Sequence, residues 1–343
     1  MTDGTFHWGH LLSRLIAGES ISEEEAGAAM VEIMEGAATP AQIAGFVVAL
    51  RAKGETPDEI VGLVTTMRRY GEHVDVGGRH VLDTCGTGGD RSGTFNVSTA
   101  AAIVCAGAGV PVAKHGNRAA SSQAGSADVL EALGVKIDLP PEAVATCIAK
   151  AGIGFCFAPF FHPAMRHAGG TRRELGTATI FNFLGPLTNP AGATAQALGV
   201  ADPRMVDKMV ETLARLGSEH VLAFHGNGGL DELATSGPSH VTELVGGEIR
   251  KWTIDPSDLG FAPATTSDVA GGTAEENAGL VRDVLKGTPG PRRDIVVLNA
   301  AAGLVAADRA PDMAQGIEVA AGAIDGGAAA EALDRLIQTS NEV

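Results

Sequence analysis

The sequence predicts an α/β protein that has an N-terminal helical domain and a larger domain built on a mainly parallel, mixed β-sheet. Two observations lead to this prediction. Residues 5–72 show helical periodicity and contain no segment with the character of a strand. From Val81 onward, short runs of β-branched residues alternate with helical stretches, which is typical of a parallel sheet covered by helices. We therefore expect a helical domain at residues 1–72 and an α/β domain at residues 73–343.

The N-terminal domain is predicted to contain four short helices. Leucines recur at helical spacing in residues 11–16, and Ser22 followed by Glu25 predicts a capping box ahead of the second helix. Threonine–proline pairs at residues 39–40 and 56–57 start the third and fourth helices, because proline is favoured in the first turn. We expect these helices to pack as a bundle.

The predicted sheet follows from short β-branched segments in the rest of the chain. Helical stretches separate these segments, which lie at residues 110–113, 154–157, 195–200 and 220–224. Two further segments, at 240–245 and 248–254, flank Gly246-Gly247, which favours an antiparallel hairpin. The sheet should therefore be mixed. Asn299 is expected to cap a final helical region that a Gly-Gly pair interrupts.

The bulk composition argues against several classes of protein. The net charge is −16 and no basic stripe is present, so no nucleic-acid partner is expected. No uncharged apolar run reaches about 18 residues, and the N-terminus lacks a signal-peptide pattern, so no membrane partner is expected either. The four cysteines form no CxxC pair and are interpreted as reduced thiols. We expect a cytoplasmic protein.

The strongest local signal is a glycine-rich segment, DTCGTGGD at residues 83–90, followed by TFNVST at residues 94–99. The glycines allow successive backbone N–H groups to point into one concavity, and the start of the next helix adds positive charge. Asn96, Ser98 and Thr99 offer polar groups for a phosphate or a metal. The alternative is an ordinary glycine-rich turn with capping residues. The pattern is neither a Walker loop nor a dinucleotide fingerprint.

A second candidate segment, KHGNR at residues 114–118, follows a predicted strand and precedes Ser121, Ser122 and Ser126. Cations at the end of a strand, beside hydroxyl groups at a helix start, can bind an oxyanion. Lys114 is expected at a solvent-open position. The alternative is a solvated basic turn with a serine cap. Ligands of α/β proteins bind at the carboxyl ends of strands, where both segments are expected, and this favours a shared phosphate site.

Two further segments carry polar groups suited to binding. Asp231 and Glu232 are adjacent carboxylates in a glycine-rich loop after a strand, which suits a divalent cation that bridges to phosphates. The alternative for this pair is a helix N-cap. Residues 162–167, HPAMRH, and 172–174, RRE, offer guanidinium groups that could hold a planar carboxylate, although most arginines on such a segment lie at the surface.

Taken in order, these segments resemble the anthranilate phosphoribosyltransferase family. The resemblance covers nearly the whole chain and includes GTGGD, NVST, KHGNRAASS followed by GSAD, HPAMRH with RRELG, FNFLGPLTNPA and HGNGGLDE. It implies a nucleoside phosphorylase/phosphoribosyltransferase-like fold, with the active site between the two domains and part of residues 160–180 joined to the helical domain. It also implies a homodimer formed through the helical domain.

The same resemblance implies the reaction and the residues that serve it. The phosphoribosyl group of phosphoribosyl pyrophosphate (PRPP) would be transferred to the amine of anthranilate, in tryptophan biosynthesis. The PRPP-binding residues would be Gly86, Gly89, Asp90, Thr94, Asn96, Val97, Ser98, Thr99, Lys114, His115, Gly116, Asn117, Arg118, Ala119, Ala120, Ser121, Ser122 and Ser126. The ligands of two magnesium ions per subunit would be Ser98, Asp231 and Glu232. The contacts to anthranilate would be Gly86, Asn117 and Arg172, of which the last would face the carboxylate.

Some features of this assignment depart from the family pattern or remain open. Arg91-Ser92 stands where many members have a small or glycine-containing pair, and Ala178 stands where many have arginine. No general base is assigned, because the aromatic amine is already neutral at pH 7; His115 is the nearest candidate for handling a proton.

Two alternative functions were considered, one enzymatic and one non-catalytic. A pyrimidine nucleoside phosphorylase would share the fold and the glycine-rich loop, but it would have no use for a magnesium site at Asp231 and Glu232. A non-catalytic or nucleic-acid-binding relative would keep only the fold, and both the acidic charge and the intact motifs argue against it.

Overall fold

The computed structural model describes residues 6–119 and 123–343, and its first part is helical. The helices are α1 (Trp8–Ile16), α2 (Glu23–Met34), α3 (Pro40–Lys53) and α4 (Pro57–Arg69). The predicted capping box is present, since the Ser22 hydroxyl accepts a hydrogen bond from the Glu25 N–H. Thr39 and Thr56 cap α3 and α4 in the same way. The capping signals of the sequence therefore located the starts of these helices.

The larger part of the structure is built on one mixed sheet. Its strands are β1 (Leu82–Gly86), β2 (Val112–Gly116), β3 (Ile153–Phe157), β4 (Ala195–Gly199), β5 (His220–His225), β6 (Ser239–Val245) and β7 (Glu248–Ile254). In the described part of the chain they form a seven-stranded sheet in the order β3-β2-β1-β4-β5-β6-β7. The first five run parallel, while β6 and β7 form the predicted antiparallel hairpin. The predicted fold class is thus confirmed.

The remaining α-helices connect and cover the strands. They are α5 (Val97–Gly107), α6 (Ser126–Ala132), α7 (Pro141–Ala151), α8 (Ala158–Phe161), α9 (Arg166–Leu175), α10 (Phe181–Leu184), α11 (Pro203–Arg215), α12 (Ala274–Leu285), α13 (Pro291–Ala306), α14 (Met313–Asp325) and α15 (Ala328–Glu342). Short 3-10 helices lie at Pro163–Met165, Gly185–Leu187, Asn227–Gly229, Pro256–Leu259 and Thr266–Val269. Within the described ranges, no helix has the length and apolar character needed to span a bilayer.

Two hydrophobic clusters hold the fold together, one on each face of the sheet. Successive residues of β5 belong to different clusters, because successive side chains of a strand point to opposite faces: Val221 packs in one and Leu222 in the other. The cluster of Leu222 includes α5, α7, α13 and α15. The cluster of Val221 includes α1–α4, α11 and Ala168 of α9. The N-terminal helices therefore share a hydrophobic cluster with one face of the sheet, where α4 packs on α11 and α11 packs on β5. The domain boundary near residue 72 stays a prediction.

The structure corrects one assignment near the C-terminus. Asn299 lies in the middle of α13 and is 3% exposed, so it does not cap a helix. The sequence favoured a cap because asparagine is a common N-cap residue and an uncommon one inside a buried helix. The predicted break is correct, since Gly326 ends α14 and Gly327 precedes α15 with φ of 80°.

Candidate active site

The predicted segments meet at the carboxyl ends of the parallel strands. The Gly88 N–H donates a 2.7 Å hydrogen bond to Asp231 Oδ2, which joins the loop after β1 to the carboxylate loop after β5. The Ser98 N–H donates a 3.0 Å hydrogen bond to Glu232 Oε1. The Asn96 side-chain amide donates to the Ala124 carbonyl at 3.2 Å, which joins the loop after β1 to the loop after β2. Segments far apart in sequence thus form one site.

The glycine-rich loop between β1 and α5 has the backbone that the sequence predicts. Gly88, Gly89 and Gly93 have φ of 67°, 83° and 70°, a region that residues with a Cβ rarely adopt. Gly88 and Gly89 are exposed and a Cβ on either would meet nothing within 4 Å, so space lies open in front of the loop. Arg91 also has a positive φ, 59°, and this strained position coincides with the departure from the family pattern.

At the start of α5, the predicted PRPP-binding residues differ in burial. The side chains of Val97 and Thr99 are each 1% exposed and belong to the interior, so their predicted contacts would have to come from the backbone. The Val97 N–H already donates to the Phe95 carbonyl at 2.7 Å. Ser98 is half-buried, and its hydroxyl makes no hydrogen bond to another described residue. The Thr99 hydroxyl also has no partner among the described residues, but it is buried, so Ser98 is the residue of this turn that combines a free hydroxyl oxygen with partial exposure.

The loop after β2 is closed by Asp128 at the first turn of α6. Its Oδ2 accepts hydrogen bonds from the Ala119 N–H at 3.0 Å and the Gly125 N–H at 2.8 Å. Arg118 donates to the carboxylates of Asp128 and Glu131 and is therefore partly neutralised. A Cβ on Gly116 would lie 2.2 Å from the Ser126 hydroxyl.

The other predicted binding residues of this loop bond mainly to one another. Asn117 accepts a 2.7 Å hydrogen bond from the Arg118 N–H through its side-chain oxygen. The Ser126 hydroxyl donates to the Asn117 carbonyl at 3.3 Å. The predictions for Ala120, Ser121 and Ser122 lie outside the described residues.

Lys114 lies beneath the carboxylates and not at the surface. Its side chain is buried, and its ammonium group donates a 2.6 Å hydrogen bond to the Thr84 carbonyl. Burial lowers the pKa of Lys114, and the neighbouring carboxylates of Asp83 and Glu232 oppose that shift. The expectation of a solvent-open cation was wrong, because β2 lies inside the sheet and directs this side chain towards the end of β1. Lys114 instead supplies positive charge below the carboxylate loop.

His115 is also buried, which argues against its role as a proton acceptor. Burial lowers its pKa to about 3, with a smaller contribution from His162, whose ring lies 5.2 Å away. Its Nδ1 lies 3.1 Å from the Gly185 carbonyl, and its Nε2 has no partner among the described residues. A group with so low a pKa accepts a proton poorly at neutral pH. The role of His115 stays a prediction that its burial weakens.

Asp231 and Glu232 concentrate negative charge at the site. Burial raises the pKa of Asp231 to about 7, and the nearby carboxylate of Asp90 contributes to this rise. Burial also raises the pKa of Glu232, as does Asp231. The alternative of a helix N-cap is wrong, because residues 231–238 contain no helix and lead into β6. Carboxylates that are buried together repel each other unless a cation lies between them.

Arg172 lies on α9 near the helical domain. Its guanidinium group is half-buried, lies 5.7 Å from the centre of the Phe181 ring, and makes no hydrogen bond or ion pair with the described residues. Burial lowers its pKa. By contrast, Arg173 is exposed and Arg166 donates to the Pro163 carbonyl at 3.3 Å. Arg172 is therefore the arginine of this segment that combines burial with free donors. Ala178, on the same segment, is exposed.

Sequence reasoning missed two glycines that support the carboxylate loop. A Cβ on Gly199 would lie 1.6 Å from the Asp231 carbonyl oxygen, and a Cβ on Gly226 would lie 2.1 Å from that of Glu232. Gly86, which the sequence predicted as a binding residue, is similarly close to this loop: a Cβ on it would lie 2.3 Å from Asp231 Oδ2. The loop thus crosses the ends of neighbouring strands where no side chain intervenes. A glycine at the end of a strand was the sequence signal that could have indicated this close approach.

Known proteins share both parts of this architecture. Residues 9–71 match the glycosyl transferase family, helical bundle domain, and residues 78–330 match the glycosyl transferase family, a/b domain. The anthranilate phosphoribosyltransferase of Thermomicrobium roseum is 54% identical over 337 residues, 97% of each chain. That of Pelotomaculum thermopropionicum is 52% identical over 327 residues, 95% of each chain. The chain belongs to the anthranilate phosphoribosyltransferase family.

Solved structures of this family have the same fold. The anthranilate phosphoribosyltransferase of Thermus thermophilus is 45% identical, with a TM-score of 0.90 over 96% of this chain and 99% of that chain. The Saccharomyces cerevisiae enzyme in complex with PRPP and Mg is 27% identical, with a TM-score of 0.89 over 98% of each chain. As a member of this family, the protein transfers the phosphoribosyl group of PRPP to the amine of anthranilate, as the resemblance implied.

Proposed function

We propose that the PRPP site of this enzyme is the space in front of the loop after β1, bounded by the start of α5 and the Asp231-Glu232 loop. The observation that carries the proposal is the pair of hydrogen bonds from the Gly88 and Ser98 N–H groups to these two carboxylates. These hydrogen bonds hold the glycine-rich loop, whose backbone is suited to binding phosphate, next to two carboxylates that are suited to binding a cation. The N–H groups of Gly89, Asp90 and Arg91 make no hydrogen bond with the described residues and are left for pyrophosphate oxygens.

The residues present fit magnesium. The pKa of each carboxyl group is raised mainly by burial, so this part of the site holds more negative charge than its surroundings stabilise. Ser98 adds a free hydroxyl oxygen. The described residues contain no group of three or more His, Cys, Asp and Glu side chains arranged for a metal. Magnesium commonly uses one or two protein carboxylates with substrate phosphates and water, and we propose two such ions per subunit, held by Ser98, Asp231 and Glu232.

We propose that anthranilate is held between Arg172 and the end of β1, with its carboxylate on the guanidinium group. A guanidinium binds a planar carboxylate through two parallel hydrogen bonds. The stacking of Arg172 near Phe181 leaves these donors free and restricts their orientation. Gly86 and Asn117, at the ends of β1 and β2, would line the opposite side. The anthranilate amine would then face the sugar of PRPP.

The proposed chemistry is substitution at the anomeric carbon of PRPP. Such carbons react through oxocarbenium-like states, so stabilising the leaving group matters more than activating the nucleophile. When bound, magnesium would neutralise charge on the departing pyrophosphate. The loop N–H groups would hold the phosphate oxygens, and Lys114 would offset the carboxylates from below. The aromatic amine is neutral and would attack without prior deprotonation, losing a proton to solvent afterwards, so no general base is assigned.

Turnover tests this proposal directly. We expect the enzyme to consume anthranilate fluorescence when PRPP and Mg²⁺ are both present and to stop when the metal is chelated. Gly88→Ala would strain a left-handed position and shift the N–H that contacts Asp231, so it should raise the KM for PRPP. Gly78→Ala, at a similar φ of 71° with nothing within 4 Å, is the matched control. Phosphorolysis of a pyrimidine nucleoside, without turnover of anthranilate, would contradict the proposal.

We further propose a cytoplasmic homodimer that forms through the helical domain. Two large apolar side chains of that domain face solvent in the single chain: Ile16 is 78% exposed and Val48 is 45% exposed. Apolar exposure of this kind is common at association surfaces. All four cysteines are free thiols, which suits a reducing compartment. Sedimentation of the parent and of Ile16→Asp tests the dimer; a parent that sediments as a monomer would contradict it.

A further inference from the structure

Asn299 is a buried amide whose hydrogen bonds are directed at the carboxylate loop. It lies in an apolar stretch of α13, where asparagine is an unfavourable helix residue and where burial of an unpaired amide is costly. Its Oδ1 accepts a 2.8 Å hydrogen bond from the Leu233 N–H, and its Nδ2 donates to the Leu233 carbonyl at 2.9 Å and to the Ile295 carbonyl at 2.8 Å. A leucine at this position would pack in the helix without these bonds.

Two of the three hydrogen bonds of Asn299 go to Leu233, the residue directly after Glu232. Residues 231–238 form no helix or strand, so backbone hydrogen bonds of regular structure do not fix this part of the loop. Asn299 takes both the N–H and the carbonyl of Leu233, as a neighbouring strand would. One further bond, from the Ala234 N–H to the Ser239 hydroxyl at 3.1 Å, holds the next residue. The loop is thus tied to α13 on one side.

On its other side, the carboxylate loop packs against two glycines. The Asp231 carbonyl occupies the space next to Gly199, and the Glu232 carbonyl the space next to Gly226. A small cavity of about 10 Å³ is lined by Asn299 together with Glu232, Ser98 and Cys85, so the amide lies in the same environment as the proposed metal ligands. The glycines permit the position of the loop, while Asn299 selects it.

We propose that Asn299 is a positioning residue that sets the direction of the Asp231 and Glu232 carboxylates before magnesium and PRPP bind. This inference rests on the proposed metal site. It predicts that the amide acts on metal affinity through the backbone, without touching substrate. Partners that orient metal ligands typically affect metal affinity or activity by about 10-fold to 100-fold when they are replaced.

Two substitutions separate the contributions of the amide. Asn299→Asp keeps the shape and the acceptor oxygen for the Leu233 N–H, but it removes the donor to the Leu233 and Ile295 carbonyls. Asn299→Leu has a similar volume and removes all three bonds. Leu304→Ala, in the same helix and fully buried, is the control for general destabilisation of α13. Gln315→Leu, on the exposed surface of α14, controls for substitution of an amide by leucine.

The first measurement needs no ligand. Amide hydrogen exchange in residues 230–236 of the unliganded full-length enzyme should speed up in both Asn299 variants and stay near the parent rate in Leu304→Ala. In the second, the Mg²⁺ concentration for half-maximal activity at saturating PRPP should rise by about 10-fold or more in both Asn299 variants. The KM for anthranilate should change little. Leu304→Ala should melt at a lower temperature with the parent's Mg²⁺ requirement.

Three outcomes would overturn the inference. One is parent-like exchange in residues 230–236 of a folded Asn299→Leu variant. Another is an unchanged Mg²⁺ requirement in both Asn299 variants. The third is an equal rise in the Leu304→Ala control, which would reduce Asn299 to a stability role. Neutralising Asp231 and Glu232 distinguishes this failure from that of the proposed site: if neutralisation leaves the Mg²⁺ requirement intact, the proposed site itself is wrong.

Discussion

The carbonyl oxygen of Asp231 lies in the space beside Gly199, only 1.6 Å from where a Cβ on that glycine would stand. Gly199 ends β4 and pairs in register with Gly86 of β1, so two neighbouring strands lack side chains where the carboxylate loop crosses them. The loop therefore approaches the phosphate loop closely enough for the Gly88 N–H to reach Asp231. Close contact between the two halves of the site depends on this pair of glycines.

Replacing Gly199 by alanine should move the carboxylate loop. The added methyl group would overlap the Asp231 carbonyl, and overpacking of this kind costs about 1–3 kcal/mol of the free energy of unfolding. We expect lower kcat/KM for PRPP and a higher Mg²⁺ requirement, measured by steady-state kinetics. Gly322→Ala is the control, since nothing lies within 4 Å of its Cβ and it occupies α14. Gly199→Ala with parent kinetics would contradict the role given to this contact.

Lys114→Met should destabilise the protein as well as weaken catalysis. The ammonium group is buried and donates to the Thr84 carbonyl, and leaving such a buried acceptor without its partner costs about 1–3 kcal/mol. Urea denaturation of the unliganded protein measures this loss. Arg118→Met, at an exposed ion pair in the same segment, should cost about 1 kcal/mol or less. Parent stability combined with a raised KM for PRPP would restore the solvent-open assignment of Lys114.

Arg172→Ala should raise the KM for anthranilate, because binding loses a hydrogen bond to a charged group. Such a bond contributes about 1.5–3 kcal/mol to the binding free energy. An analogue that lacks the carboxylate should be almost indifferent to the change. Arg173→Ala, the exposed neighbour, should leave the KM for anthranilate close to that of the parent. Equal losses for anthranilate and the analogue would show that Arg172 is structural and that the carboxylate is held elsewhere.

His220, at the start of β5 and outside the proposed site, should make stability depend on pH. Burial opposes its protonated form, but hydrogen bonds to Glu243 at 3.1 Å and Asp308 at 2.9 Å raise its pKa above the usual value. Its contribution is therefore complete below about pH 6.5, the unfolded value, and is lost as pH rises through the folded pKa.

Comparison of the parent with His220→Gln measures this dependence. The parent should be more stable by on the order of 1 kcal/mol at pH 6, and the difference should shrink towards pH 9. Because Asp308 is exposed, part of this contribution is screened by solvent. A difference that is constant between these pH values would show that the ring only fills space.

Local sequence signals predicted the fold, whereas they predicted the site only in part. Capping residues and β-branched segments act within a few positions, so they located α2–α4 and the hairpin at Gly246-Gly247. Burial of Lys114 could not be read from its segment, because the charges that stabilise it, those of Asp83 and Glu232, come from β1 and from a loop far along the chain. Position at a strand end indicated a binding site but not the direction of the side chain.

Asn299 shows the same limit and a missed signal. Its local sequence suggested a helix cap, whereas its partners at Leu233 are 66 residues away. One indication was available: a single amide in an apolar helical stretch has to find hydrogen bonds inside the protein. Such a residue is better interpreted first as a tether between elements and only then as a helix boundary. The contact between Gly199 and Asp231 had no comparable signal beyond the glycine itself.

Neutralising the carboxylate pair should separate stability from function. In Asp231→Asn/Glu232→Gln, the side-chain oxygens can still accept from the Gly88 and Ser98 N–H groups. The cost of burying two charges, which is the main cause of both raised pKa values, is removed together with their repulsion. The unliganded variant should therefore melt at or above the temperature of the parent and lose most turnover. A variant that melts far lower would show that the pair is needed for the fold.

The most direct test of the proposed metal site is the coupling between Mg²⁺ and PRPP, measured by calorimetric titration of each ligand with and without the other. In the parent, Mg²⁺ should bind weakly alone and tightly with PRPP, and each ligand should raise the affinity of the other by the same factor. In Asp231→Asn/Glu232→Gln, corrected for the coupling of Mg²⁺ to PRPP in free solution, that factor should fall close to one. A folded double variant that keeps the parent's coupling would contradict the assignment of the metal to these carboxylates.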